Sequence, residues 1–262
     1  MPVRPLPFRP AFLLLGLGLL TGCEQAGGAA GAMAGGVAGT AAAGAVAGSV
    51  GGPAGQVAGA AAGAGASIAV TQLTRMSTAA AQGAWDAVAQ EAVPACAGAA
   101  DKPCAEAQAL RASACRRQAT AVLADQRAAY RDCAVTAGQA ALAAGGANTQ
   151  AERNGWREEL LAALYDRRAV TPRAGICPDN DLMRAEADTL LRDAPGNAVG
   201  RFHGASARMI GVSVSCGAED QRCSDLAEAA RLLNPPQSDA RWTQTAEGVR
   251  TLQRVVVGCP GT

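Results

Sequence analysis

Apolar residues between Ile68 and Val170 recur three and four positions apart, as in Leu73, Met76, Trp85 and Val88, with arginines and acids between them. That period lines one face of an α-helix, and it predicts one helix whose buried stripe carries those four side chains. Pro94 ends it, and a short loop runs from Ala95 to Pro103. A second helix is predicted from Cys104 to Leu142 with a break near Asp125, and Gly145-Gly146 terminates it. Thr149 with Glu152 three residues on has the spacing of a capping box. It opens a helix through Trp156, Leu160, Leu161, Leu164 and Tyr165, which Pro172 closes.

The last third continues in the same style. Asp179 or Asn180 is expected to cap a helix through Leu182, Met183, Leu190 and Leu191, followed by Pro195 and a helix through Val199, Phe202, Met209 and Ile210. Cys216 closes that helix and Cys223 opens the next, which Asn234-Pro235-Pro236 stops. Ser238 or Asp239 caps a final helix through Trp242, Val249 and Leu252. Only Val255 to Val257 hints at a strand. The fold class expected is therefore all-α, in stacked antiparallel helical hairpins, with sub-units at about 68–170 and 171–262.

The first residues read differently. Arg4 and Arg9 precede the apolar block AFLLLGLGLL, which is about ten residues long where a bilayer span needs roughly twenty. This order is that of a secretory signal peptide, covering 1–22. Leu20-Thr21-Gly22-Cys23 resembles the lipobox of bacterial lipoproteins. The resemblance implies cleavage before Cys23, lipid on its thiol and its new amino group, and anchorage by several acyl chains. With Glu24 next rather than aspartate, it also implies the periplasmic face of the outer membrane.

From Gln25 to Thr74 no residue is charged. Gly27, Gly31, Gly35 and Gly39 recur every four residues, then Gly44 and Gly48, then Gly55, Gly59 and Gly63. Glycines so spaced let two helices approach backbone to backbone, and Gly51-Gly52-Pro53 supplies a turn between two arms. The segment 23–67 is similar to the glycine-zipper segments of bacterial surface-antigen lipoproteins, which implies paired membrane-associated helices and self-association. A flexible Gly/Ala tether is the other reading of the same residues.

Beyond Cys23 there are eight cysteines: Cys96, Cys104, Cys115, Cys133, Cys177, Cys216, Cys223 and Cys259. In an exported protein an even set of this kind reads as a disulfide framework, here four bridges. VPACAGAADKPCAEAQALRA and SVSCGAEDQRCSDLAEAARLL echo each other as helix, cysteine, loop, cysteine, helix. That echo pairs Cys96 with Cys104 and Cys216 with Cys223, since antiparallel packing brings the two cysteines of each hairpin within bridging distance. Cys115 and Cys133 lie about 27 Å apart on one straight helix and can pair only if it breaks. Hairpins of this kind with a proline after the second helix resemble tetratricopeptide-type repeats, on DAPGNAVGRFHGASARMI and LAEAARLLNP with Pro195 and Pro235 between units.

Candidate chemistry is sparse. His203 is the only histidine and sits beside Phe202, where it is expected to face solvent or cap a neighbour. Asp179-Asn180-Asp181 lacks the glycine and distal glutamate of a calcium loop. Glu158, Glu159, Glu186 and Asp188 are expected to form surface ion pairs with Arg157, Arg167 or Arg192. Net charge is +1 with no basic cluster, which argues against nucleic acid. The expectation is a non-enzymatic lipid-anchored scaffold or protein-interaction module, with no catalytic residue, metal or cofactor and an unidentified protein partner. The competing expectation is a membrane-active, self-associating glycine-zipper protein with a helical cap.

Overall fold

The structure, a computed structural model, describes residues 70–256 and Cys259. The signal peptide, Cys23, the glycine series from Gly27 to Gly63 and Val257 lie outside the described residues. Among the described residues every regular element is helical and there is no strand. α1 covers 70–81 and α2 Trp85–Gln90. Then follow α3 Lys102–Ala121, α4 Arg127–Ala144, α5 Gln150–Arg168, α6 Ile176–Asp193, α7 Ala198–Val214, α8 Arg222–Leu232 and α9 Ala240–Val255.

Local chemistry accounts for most boundaries. Thr149 accepts from the Glu152 N–H while the Glu152 carboxylate accepts from the Thr149 N–H, which starts α5 with a complete capping box. Asp239 accepts from the N–H groups of Arg241 and Trp242 and starts α9. The chain breaks between α3 and α4 at 122–126, around Asp125. Two expectations are corrected. The single helix through Val88 is two helices, because Gly83 takes φ +76° and turns the chain back. Leu73, Met76, Trp85 and Val88 still meet in one cluster, but from two helices. In addition, neither Asp179 nor Asn180 caps α6, which starts earlier at Ile176 with Pro178 in its first turn. Both side chains are buried within that helix.

From α3 onward each helix packs on the next, and α3–α5, α5–α7 and α7–α9 also touch. No comparable contact links α4 with α6 or α6 with α8. The odd-numbered helices therefore line the inner side of the stack and the even-numbered ones its outside. α7 is central, with Phe202 through Arg208 buried all round. Around Leu160, Leu161, Leu164, Met183 and Leu190 one hydrophobic cluster runs from α1 to α7. A second joins α7, α8 and α9 around Phe202, Leu226, Leu232, Trp242 and Val249. Much of the remaining core is alanine, six of them on α3 alone. Alanine buries little apolar area, so a larger share of the stability falls to covalent bridges and hydrogen bonds.

Four disulfides staple the stack. Cys96–Cys104 closes the loop before α3 with Cα atoms 5.5 Å apart, and Cys115–Cys133 spans the break between α3 and α4 at 5.9 Å. The expected Cys216–Cys223 bridge is absent. Cys216 reaches back to Cys177 at the start of α6, and Cys223 reaches forward to Cys259 beyond α9. Cys216 follows directly on the end of α7, after Ser215 has turned into the left-handed region at φ 64°. The turn points it at α6 while Cys223 faces α9, so the α6–α7 pair and the α8–α9 pair are each closed by their own bridge and no bridge spans the α7–α8 connection.

At the opposite end, Gly146 donates to the Ala99 carbonyl at 2.7 Å, so the stapled 96–104 loop docks on the α4–α5 turn. A Cβ on Gly146 would lie 2.5 Å from the Ala99 oxygen, a backbone atom that cannot step aside alone. Gly146→Ala is expected to cost about 1–3 kcal/mol in urea denaturation, the usual range for overpacking. Gly98→Ala, in the same loop with nothing within 4 Å of the added carbon, should change stability by less than about 0.5 kcal/mol. Equal effects of the two would show that this docking is not a constraint.

Candidate functional site

Side chains that could carry chemistry fall in three places. The first is the stapled loop before α3, where ligand atoms of Cys96, Asp101 and Cys104 lie within 4.8 Å of one another. Both sulfurs are in the bridge, and the two Asp101 oxygens accept from the N–H groups of Ala97 and Cys104. A disulfide is no metal ligand, and this carboxylate is occupied in capping α3. The cluster is a structural corner.

The second place is a buried polar cluster between α5, α6 and α7. Arg167 fixes Asp179 through Nε at 2.8 Å and through Nη2. Arg168, 7 % exposed, has only neutral hydrogen-bond acceptors: Asn180 Oδ1 at 2.9 Å, Ser206 Oγ at 2.7 Å and the Met183 sulfur. Asn180 in turn donates to the Ala207 carbonyl, which ties α6 to α7. Burial pushes the Arg168 guanidinium down to about 10, so it stays charged at neutral pH.

His203 lies beside this cluster, and its position is a correction: it neither faces solvent nor caps a neighbour. It is 6 % exposed, edge-on to Tyr165 and Phe202 with ring centroids 5.4 and 5.0 Å away. Its Nδ1 has no hydrogen-bond partner among the described residues. Burial first, then the positive charges of Arg168, Arg241 and Arg116, push its pKa down to about 3. The ring is therefore neutral at physiological pH and packs as an aromatic side chain.

Of the acids expected to form surface ion pairs, Glu186 meets Arg157 as expected, while Glu159 and Asp188 take other arginines, and all three pairs link helices. Glu159 and Asp166 both hold Arg116 of α3, Glu186 holds Arg157, and Asp188 holds Arg208. Glu158 accepts from the Asn197 side chain, and Arg192 donates to Thr189. Trp156 and Trp242 are buried, while Trp85 lies half-buried with the Arg117 guanidinium 4.3 Å over its ring.

The third place is a cleft of about 270 Å³ lined by Leu191, Pro195, Arg201, Arg231, Leu232 and Asn234. It opens where α6 hands over to α7 and where α8 ends. Arg201 donates through Nε to the Leu232 carbonyl at 2.8 Å and through Nη2 to the Asn234 carbonyl. Its guanidinium also lies 5.4 Å from the Trp242 ring, and Trp242 Nε1 donates to the Leu233 carbonyl. These bonds satisfy the last carbonyls of α8 and hold the guanidinium still. Sequence reading missed both Arg168 and this cleft. For Arg168 there was no signal, since two arginines ending a helix ordinarily complement its dipole. For the cleft there was one: Pro195 and Pro235 mark the inter-hairpin connections that frame it.

Among the described residues no helix is long and apolar enough to cross a membrane. Comparison with protein-family models, with curated proteins and with solved structures finds no match to this chain. The fold and its chemistry thus stand on the residues themselves.

Proposed function

We propose that this chain is a lipid-anchored lipoprotein of the bacterial cell envelope, whose stapled helical stack works as a non-enzymatic scaffold or protein-interaction module at the periplasmic face of the outer membrane. One observation carries the reading. Of nine cysteines in the sequence, eight close on one another, which leaves Cys23, within Leu-Thr-Gly-Cys, as the odd one. Four structural bridges suit an oxidising compartment outside the cytoplasm. There a single unpaired thiol would be a liability unless it carried another covalent group. The helical stack supports a scaffold in a second way: the outward face of α9 is mostly polar, with Thr243, Gln244, Glu247, Arg250 and Arg254 exposed beside a single exposed large apolar residue, Val255.

The intact mass of the protein purified from its membrane, under non-reducing conditions with thiol alkylation, tests this reading. The expected result is a chain starting at Cys23, heavier by its acyl groups, with eight cysteines unalkylated until reduction. An unprocessed amino terminus or free thiols among those eight would overturn the compartment, and the scaffold reading with it.

The glycine series favours a second reading, a membrane-active protein that self-associates through 27–67 with the helical stack as a cap. Cys23→Ser separates the two. Release of the variant from the membrane as a monomer supports the scaffold, whereas retention as an oligomer supports the glycine-driven assembly.

A further inference from the structure

The cleft between the α6–α7 connection and the end of α8 contains two guanidinium groups and no carboxylate among its lining residues. Arg201 is fixed by two backbone carbonyls and a tryptophan face, an arrangement that spends one Nε and one Nη2 hydrogen and leaves further N–H donors without an acceptor among the described residues. Arg231 stands across from it on α8, paired only with Glu228 three residues earlier. That pair is on the surface, with the arginine side chain 69 % exposed, so a ligand can compete for the guanidinium at small cost. The remaining lining is Leu191 and Pro195 on the apolar side, with Leu232 buried behind them, and the polar Asn234.

We infer that this cleft is a binding site for a small organic anion, a carboxylate carried on a short aliphatic group. Each part of the lining selects for that chemistry. A preorganised guanidinium fork meets the two oxygens of a carboxylate in a charge-assisted pair. With Glu228 satisfying much of Arg231, the cleft offers close to one unit of uncompensated positive charge, which suits a monovalent group better than a dianionic phosphate. Leu191 and Pro195 offer an apolar edge for a short aliphatic part, and the volume admits a group the size of one branched side chain with its carboxylate. The same chemistry can come from a free aliphatic acid or from the carboxyl end of a polypeptide partner. Asn234, at the rim, supplies an amide that only the second source would use. The inference deepens the scaffold reading, since it names how a partner would be gripped. It does not depend on the lipid anchor, so its failure would leave the mass measurement on Cys23 untouched.

Ligand-observed NMR titration of the full chain in detergent tests it with four probes: N-acetyl-leucine, isocaproate, N-acetyl-leucinamide and inorganic phosphate. Both carboxylates are expected to bind saturably, and the amide and phosphate at least ten-fold more weakly. Arg231→Gln should weaken the carboxylates several-fold without shifting thermal unfolding, because that side chain holds only an exposed neighbour. Arg201→Lys, which keeps the charge and loses the fork, should weaken them further. Tighter binding of N-acetyl-leucine than of isocaproate assigns the site to a polypeptide end, and equal binding assigns it to a free acid. Equal binding of acid and amide, phosphate as strong as the carboxylates, or affinities unchanged by Arg231→Gln would each overturn the proposal.

Discussion

Replacing Cys177 and Cys216 together by serine should lower the free energy of unfolding by about 4 kcal/mol, from the chain entropy of a loop closed over 39 residues. The same arithmetic gives about 2.5 kcal/mol for the Cys96–Cys104 pair, whose loop is closed over 8 residues. The order matters more than either value. Cys177–Cys216 ties the first turn of α6 to the end of α7, and α7 is the helix on which both hydrophobic clusters meet. Urea denaturation of the two double variants, each oxidised at its remaining pairs, reads the difference. If removal of the short-range bridge proved the more damaging, closure of the α6–α7 pair would not be what the stack depends on. Reduction of all four bridges should be worse than either variant, because an alanine-rich core has little apolar area in reserve.

Acidification should destabilise the protein in a window where almost nothing else titrates. His203 is the sole histidine, with a folded pKa of about 3 against an ordinary value near 6.5. Above pH 6.5 the ring is neutral in both the folded and unfolded chain and adds no slope. Below it the unfolded chain takes up a proton that the folded one refuses, so stability falls as pH drops, until the folded pKa is reached. The expected loss is about 2 kcal/mol between pH 7 and pH 5, and about 4 kcal/mol in all by pH 3. The held-down carboxylates enter later. Glu228 and Asp239 are lowered first by hydrogen bonds from Arg231 and Arg241, and Glu152 by its bonds to Thr149 and Lys102 against the cost of burial. Stability from these three is present above the ordinary carboxylate range and is lost only as pH falls through it. His203→Phe keeps an aromatic ring and removes both the titration and the unpartnered Nδ1. Equilibrium unfolding from pH 7 to pH 5 should slope for the parent and be flat for the variant. Equal slopes would mean that the imidazole is solvated in the folded protein and not packed as described.

Which features could be read in advance follows from the range of the forces that set them. The capping box at Thr149, the Asp239 cap, the break around Asp125 and the stop at Gly145-Gly146 rest on a few neighbouring residues, and those are the boundaries that the sequence specifies. Cys96 and Cys104 are likewise local: the loop between them has no choice but to fold back on α3. Cys216 and Cys223 are only one residue closer in sequence, yet they diverge, because the rotation of α7 and α8 about their own axes is fixed by packing against α6 and α9. No local pattern carries that rotation. Gly83 was overlooked for a different reason: it stands in an otherwise uninterrupted helical period, and only its positive φ shows that it turns the chain. The burial of Arg168 and His203 depends on three helices converging, so neither the charge of one nor the singularity of the other announced where it would lie.

The connections α3–α4, α5–α6 and α7–α8 all lie at one end of the antiparallel stack, and three of its four bridges gather at or near that end. The arginine-lined cleft opens at the other, between connections that no bridge crosses. Such a stack resembles a folding fan riveted along one edge: its ribs are fixed in order and spacing there by covalent bonds, and along the far edge by hydrogen bonds such as those of Arg201 to the end of α8. A guest arriving at that far edge competes with hydrogen bonds and ion pairs, not with a disulfide. The same rivets hold a lean-cored stack in order while leaving its contacts with anything else to non-covalent forces.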